Sequence, residues 1–276
     1  MAAGIIPCTR LPSFHASEYR ISTITVTGGV NSEVNLNLLY EQLLAYPFDE
    51  VHYIEHGESK HDLKSYGTMR KKSRKKQAVQ KKRFDNQLTI VFEFDKNMYN
   101  VKLFKNGNIQ ITGVKNIAKG RQAIDKLIEM LRALYLYDSG ILADIDAVQN
   151  VNYRVRLINS DFKVNFEIRL DYLYRLMTEY YRIVCSYEPC IYPGAKIEYY
   201  YSGQSSDGKC KCTTPCNGKT EICKKITIAI FQSGCVIITG ANCVEHINVA
   251  YQFICEVLSK NIERIYRRRL LPPAHV

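Results

Sequence analysis

Apolar and small polar residues alternate along Ile21-Ser-Thr-Ile-Thr-Val-Thr27, a period of two that suits a strand with one buried face, closed by Gly28-Gly29. The stretch from Val34 through Leu43-Leu44 has instead the apolar spacing of a helix, and Phe48 to Ile54 reads as a second strand. Leu88 to Phe94, Asn100 to Phe104 and Asn108 to Thr112 then form consecutive antiparallel strands with tight turns, the second turn at Lys105-Asn-Gly107. Beyond Gly113, the positions Ile117, Ile124, Leu127, Ile128, Leu131 and Leu134 predict a long one-sided helix.

The second half runs through the same order. Tyr153 to Ile158 is a strand and Ile168 to Tyr180 a helix. Ile183 to Ile191 is a strand interrupted by Pro189, followed by strands at Lys196 to Tyr201, Lys225 to Phe231 and Val236 to Thr239, and by a helix carrying Val244, Ile247, Ala250, Ile254 and Leu258. Phe104, Gly107, Thr112 and Gly113 reappear as Phe231, Gly234, Thr239 and Gly240, each 127 positions after its counterpart (104 to 231). Two copies of a long unit point to an α+β fold with an internal pseudo-two-fold axis, a monomer built as an intramolecular dimer. The expected organisation is a loose leader over 1–18, a first repeat over 19–137 with a basic insertion at about 58–86, and a connector over 138–150. A second repeat follows over 151–262 with a cysteine-rich insertion at about 203–222, then a tail over 263–276.

Composition adds two things. The formal charge of +11 is local: ten Lys or Arg and no acid lie between Lys64 and Arg83, so little net charge remains for the rest. That run reads either as a solvated loop or nuclear address, or as an arm that neutralises phosphates without reading bases. The absence of a long apolar run or signal peptide points to an intracellular protein with no membrane partner. In such a compartment the ten cysteines read as thiols or metal ligands. Cys8, Cys185, Cys190, Cys235, Cys243 and Cys255 are expected as small core residues.

Ser186-Tyr-Glu-Pro-Cys-Ile-Tyr-Pro-Gly194, followed by Ile230-Phe-Gln-Ser-Gly-Cys-Val-Ile-Ile-Thr-Gly-Ala241, resembles the second repeat of the TATA-binding protein family, as does Asn165-Phe-Glu-Ile-Arg-Leu170 upstream. Lys82-Arg-Phe84, Leu103-Phe-Lys-Asn-Gly107 and Thr112-Gly-Val-Lys115 resemble the first-repeat elements. The large insertions and loose first repeat are similar to the diverged members found in large DNA viruses. The resemblance implies a saddle: a curved antiparallel sheet of ten strands, four helices on its convex side, and a concave face for the minor groove of A·T-rich double-stranded DNA. It further implies a transcription initiation factor that bends promoter DNA and recruits a TFIIB-like factor and RNA polymerase. The alternative is a saddle kept as a protein–protein scaffold with little DNA binding of its own.

By that resemblance the aromatic wedges that would kink the duplex are Phe104 with Phe84 and Phe231 with Tyr192, where Tyr192 stands in place of a family phenylalanine. Read without the repeat, each would be an ordinary core aromatic. Thr112, Thr239 and Ile237 match groove contacts, whereas Gln110 breaks the apolar pattern and offers a donor to a groove acceptor. Lys82 and Arg83 would meet phosphates. The family's paired asparagines are unmatched, with Thr23 and Leu157 in their places, and Glu198 replaces a family arginine. Glu188, Cys190 and Ile191 fall on the segment that contacts the TFIIB-like factor.

Cys210, Cys212, Cys216 and Cys223 lie in a Gly, Ser and Thr-rich loop. Four thiolates would complete a closed structural zinc site; the other reading is thiols in a polar loop, and no cofactor is required for the fold. Asp138, Asp144 and Asp146 sit in the connector, where acids are more often caps and turns than a two-metal centre. His52, His56 and His61 form no nucleophile–base setting, so an enzyme is not expected.

Overall fold

In this computed structural model the described residues are 11–64, 86–203, 207–213, 216–218 and 223–267. The chain divides into a first unit, Thr23–Leu157, and a second, Met1–Ser22 with Ile158–Val276, the divisions falling inside two long strands. Among the described residues there are eleven strands, one more than the resemblance implies, and no helix long and apolar enough to cross a membrane.

In the first unit the elements are β1 (Arg20–Gly29), α1 (Leu36–Ala45), β2 (Val51–His56), β3 (Ser59–Asp62), β4 (Gln87–Phe94), β5 (Asn97–Phe104), β6 (Asn108–Val114) and α2 (Ile117–Tyr135). Its strands lie antiparallel in the order β3-β2-β4-β5-β6-β1. The unexpected strand is β3, which pairs with β2 through a hairpin at Gly57 and takes up residues assigned above to the basic insertion. All four of its residues are exposed, so no hydrophobic alternation marks it.

In the second unit follow β7 (Val151–Lys163), α3 (Leu170–Arg175, continued by a π turn through Tyr180), β8 (Cys185–Ser186), β9 (Gly194–Tyr201), β10 (Lys224–Phe231), β11 (Cys235–Ala241), α4 (Val244–Lys260) and α5 (Ile262–Ile265). The sheet order there is β7-β11-β10-β9-β8. The strand expected over Ile183 to Ile191 shrinks to β8. Pro189 has no N–H to give a ladder, and the chain turns instead, with Ile191 N and Tyr192 N both donating to Glu188 O at 2.9 and 2.8 Å.

The offset of 127 is also a conformational identity. Gly107 and Gly234 have φ of +77° and +82°, and each donates its N–H back to the phenylalanine three residues earlier at 2.8 and 2.9 Å. Gly113 and Gly240, at +93° and +96°, lie where the ladders of β6 with β1 and β11 with β7 slip by a residue. A side chain is strained at such φ, and at Gly107 a Cβ would lie 2.2 Å from Ser32 O.

Within each unit the helices cover one face of the sheet. Ile24, Val26, Val101, Leu103, Ile109 and Ile111 lie at 0–1% exposure on that side of the first unit, with Ile124, Leu127, Leu131 and Leu134 of α2. Ile197, Ile226, Ile228, Val236, Ile238, Ile247, Ile254 and Leu258 form the matching core of the second. Each such side chain contributes about 1.5–3 kcal/mol by leaving water.

Two expectations are corrected by burial. Residues 11–18 are not loose: Ser17 N donates to Lys163 O, Asn165 Nδ2 to Ser13 O, and Phe14 packs edge-on against Phe166. Of the six cysteines expected in the core, Cys190 and Cys235 are exposed, Cys185, Cys243 and Cys255 are half-buried, and Cys8 lies outside the described residues. Cys185 and Cys235 lie on strands, where alternate positions face opposite ways, whereas Cys190 is in the turn after Pro189, Cys243 precedes α4 and Cys255 lies within it.

The helix starts show where the repeat has drifted. Asn116 caps α2, its Oδ1 accepting from Ala118 N at 2.9 Å and Lys119 N at 3.4 Å. The residue 127 positions on is Cys243, in the same extended conformation at the start of α4 but making no side-chain cap bond. Cys243→Asn should therefore stabilise the protein by about 0.5–1.5 kcal/mol. Urea unfolding would register this as a higher midpoint at unchanged slope.

Candidate nucleic-acid interface

A sheet with helices on one face leaves every second residue of each strand on the other. In the first unit, register lines up Glu55, Thr89, Lys102, Gln110 and Thr27 across β2, β4, β5, β6 and β1. Beside this row run Tyr53, Val91, Asn100 and Thr112. Arg156 of β7 donates from Nε to Thr27 Oγ1 at 2.8 Å. Thr89 and Val91 of these rows are buried, at 6% and 1% exposure, and the remainder, half-buried or exposed, mixes hydroxyls and amides with the charged Glu55, Lys102 and Arg156.

In the second unit one row is Asp161, Ile237, Ala229 and Lys196, and the next contains Thr239, Thr227 and Glu198. Thr239 Oγ1 donates to Asn159 Oδ1, which puts that asparagine on the same face. Asn159 was missed by sequence reasoning, which looked for an asparagine at Leu157, two residues earlier. Its signal was present in the polar run Asn159-Ser-Asp161 at the end of an otherwise half-apolar strand.

The sequence-predicted residues divide clearly. Thr112 and Gln110 share the open face of the first unit, and Thr239 and Ile237 that of the second, all half-buried. Phe231 ends β10 opposite Gly194, and its ring lies 5.7 Å from that of Tyr192 at 57°. Lys196 Nζ stands 4.0 Å over the Tyr192 ring, a cation–π contact. Gly194 makes the room: a Cβ there would come within 3.0 Å of Tyr192 Cε1 and 3.1 Å of Phe231 Cε1. Phe104 ends β5 at the corresponding place, in an open groove with Glu33, Asn86, Asn106 and Asn108. Its expected partner Phe84, and with it Lys82 and Arg83, lie outside the described residues. Glu188, Cys190 and Ile191 share one exposed turn, with Ile191 80% exposed.

The acids on these faces have cations beside them. Glu198 accepts from Lys225 Nζ at 3.0 Å and from Tyr200 OH at 3.2 Å. Burial, then the Glu198 carboxylate, pushes the Tyr200 hydroxyl up to about 12, so it remains a donor at neutral pH. Asp161 meets Arg20 at 2.9 Å, and Glu55 meets Lys60 at 2.9 Å. Three of the residues weighed for catalysis have structural partners. Asp138 Oδ1 accepts from Gly140 N, Asp144 Oδ1 from Asp146 N and Ala147 N, and His56 bridges Gln87 O and Asn37 Oδ1.

Known proteins share this arrangement. Residues 152–261 match the family described as "Transcription factor TFIID (or TATA-binding protein, TBP)". A TATA-box-binding protein-like protein of Acanthamoeba polyphaga mimivirus is 28% identical over 277 residues, covering 92% of this chain and 67% of its own length. TATA-box-binding protein 2 of Entamoeba histolytica is 25% identical over 159 residues, 58% of each chain, so little more than half of that relative is spanned. The solved structure of Methanococcus jannaschii TBP superposes with a TM-score of 0.51 at 18% identity, covering 88% of this chain and 99% of that one. The fold is thus the α+β fold of the TATA-binding proteins, a class defined by transcription and DNA binding. Over most of its length this chain is similar to a diverged, viral TATA-box-binding protein-like protein.

The Gly194 contact gives a direct check. Gly194→Ala should leave the fold intact, costing about 1–2 kcal/mol through overpacking, while parting the two rings. Aromatic NMR would then show loss of the Tyr192–Phe231 ring contacts with β9 and β10 amide shifts little changed elsewhere.

Proposed function

We propose that the protein binds A·T-rich promoter DNA through the minor groove, bends it, and recruits a TFIIB-like factor and RNA polymerase to begin transcription. The observation that carries this reading is the pairing of a weakly polar open face with aromatic rings at the strand ends that precede the two repeat turns. The minor groove at A·T pairs offers acceptors and no amino group, so threonine, isoleucine and one glutamine meet it without leaving a strong donor or acceptor stranded. Rings at Phe104 and at Phe231 with Tyr192 are the wedges that part base steps. TATA-binding proteins are the best-known example of a duplex kinked by side chains inserted from the minor groove, and the reading extends that behaviour to this chain.

On the open faces Arg20, Lys60 and Lys225 are each paired with an acid, whereas Lys102, Arg156 and Lys196 are placed to meet phosphates. The basic run from Lys64 to Arg83 adds further charge for the backbone. The turn at Glu188, Cys190 and Ile191 is the surface for the TFIIB-like factor. Work takes place in a nucleus or a viral factory, without catalysis.

A second reading, a protein–protein scaffold, is favoured by one observation: Ile191 and Val184 are 80% and 61% exposed near the short β8. Titration of fluorescent A·T-rich duplexes separates the two. On the first reading the wild type binds and bends them, a G·C-substituted probe binds at least about tenfold more weakly, and Phe104→Ala with Phe231→Ala abolishes bending and costs on the order of tenfold or more in affinity. No binding by the wild type at low salt would leave the scaffold. Neutralising the ten basic residues should flatten the dependence of affinity on salt while leaving the A·T preference in place.

A further inference from the structure

The insertion between β9 and β10 holds a feature that minor-groove binding does not use. The Sγ atoms of Cys210, Cys212, Cys216 and Cys223 all lie within 4.8 Å of one another. Cys210 Sγ and Cys223 Sγ are 3.8 Å apart. A tetrahedral zinc with Zn–S bonds of about 2.3 Å sets its sulfurs roughly 3.8 Å from each other, so the observed pair is already at coordination distance. Two backbone amides point at the cluster: Cys212 N donates to Cys210 Sγ at 3.4 Å and Gly218 N to Cys216 Sγ at 3.1 Å. N–H donors to sulfur stabilise thiolate ligands, the protonation state that a metal requires.

The surroundings explain why a loop this polar converges there. Its backbone is tied to the sheet at both ends, Tyr200 N donating to Gly208 O and Lys225 N to Gly218 O, each at 2.9 Å. Both acceptor residues are glycines at positive φ, 73° and 69°, and a Cβ would lie 2.7 Å from the Tyr199 ring at Gly208 and 2.2 Å from Lys225 Cβ at Gly218. The close approach brings the thiols together. Apart from those glycines, Cys223 is the one buried residue among the described residues of the insertion, at 1% exposure. Its described residues therefore include no apolar cluster that could hold the loop.

We infer that Cys210, Cys212, Cys216 and Cys223 bind one zinc ion that folds the insertion onto β9 and β10. Sulfur fills all four positions, leaving none for water or substrate, so the metal's work is structural. Iron in the same sulfur cage and two disulfides are the competing occupants.

Metal analysis of the full chain, purified under reducing conditions without chelator, tests this with no DNA present, so the outcome does not depend on the promoter-binding reading. One zinc per chain is expected. Replacement by cobalt should give intense visible bands of a tetrahedral ion and thiolate-to-metal charge transfer. Cys212→Ser with Cys216→Ser should lose the zinc, while Cys235→Ser, on β11, should keep it. Stripping the metal from the wild type should speed tryptic cleavage at Lys209 and Lys211 and leave cleavage elsewhere unchanged, a readout that needs no variant to fold. A chain without stoichiometric zinc, with iron in its place, with an intact mass two or four hydrogens short, or with zinc retained in the double variant overturns the inference.

Discussion

Everything in this fold follows from covering a twisted antiparallel sheet on one side only. Helices α2 and α4 supply enough apolar surface to bury Ile, Leu and Val at alternate strand positions, and the remaining positions must then face solvent or a partner. The open positions cannot be freely apolar, since water would be left against them, nor strongly charged without a partner on the same face. Threonine, asparagine, glutamine, alanine and paired acids satisfy both demands. The same restraint makes the surface suited to a groove that offers few distinguishing groups.

The two-fold repeat was legible because it is written in residues that backbone geometry forces. Glycines at 107, 113, 234 and 240 occupy positive φ, so other residues are strained there. A phenylalanine before each turn and the buried β-branched positions between them kept the offset visible. Long strands and helices with one buried face followed from their periods. Less legible were elements whose stability comes from elsewhere: β3 has no apolar alternation, and β8 is cut short by the missing N–H of Pro189. Residues 11–18 hold to the second unit by backbone bonds that leave no trace in composition.

The open face was legible in part. Thr112, Thr239, Gln110 and Ile237 could be named because they stand at fixed steps from a repeat glycine. Asn159 could not, since the slip at Gly240 changes which β7 residue faces Thr239. Glu198 looked like a charge reversal in isolation. Only the folded sheet reveals Lys225 of β10 and Tyr200 of its own strand beside it, turning an apparent repulsion toward phosphate into a locally neutral patch.

The short outer strands of the two units carry one more consequence. The outermost strand of the first unit, β3, is four residues long and reads Ser-Lys-His-Asp, while the outermost strand of the second, β8, has two residues and is followed by a proline. Unpaired ladder groups on longer, oilier borders recruit strands from neighbouring molecules and seed fibrils. Borders this brief offer little such template, so neither β3 nor β8 should recruit a strand from a neighbouring molecule.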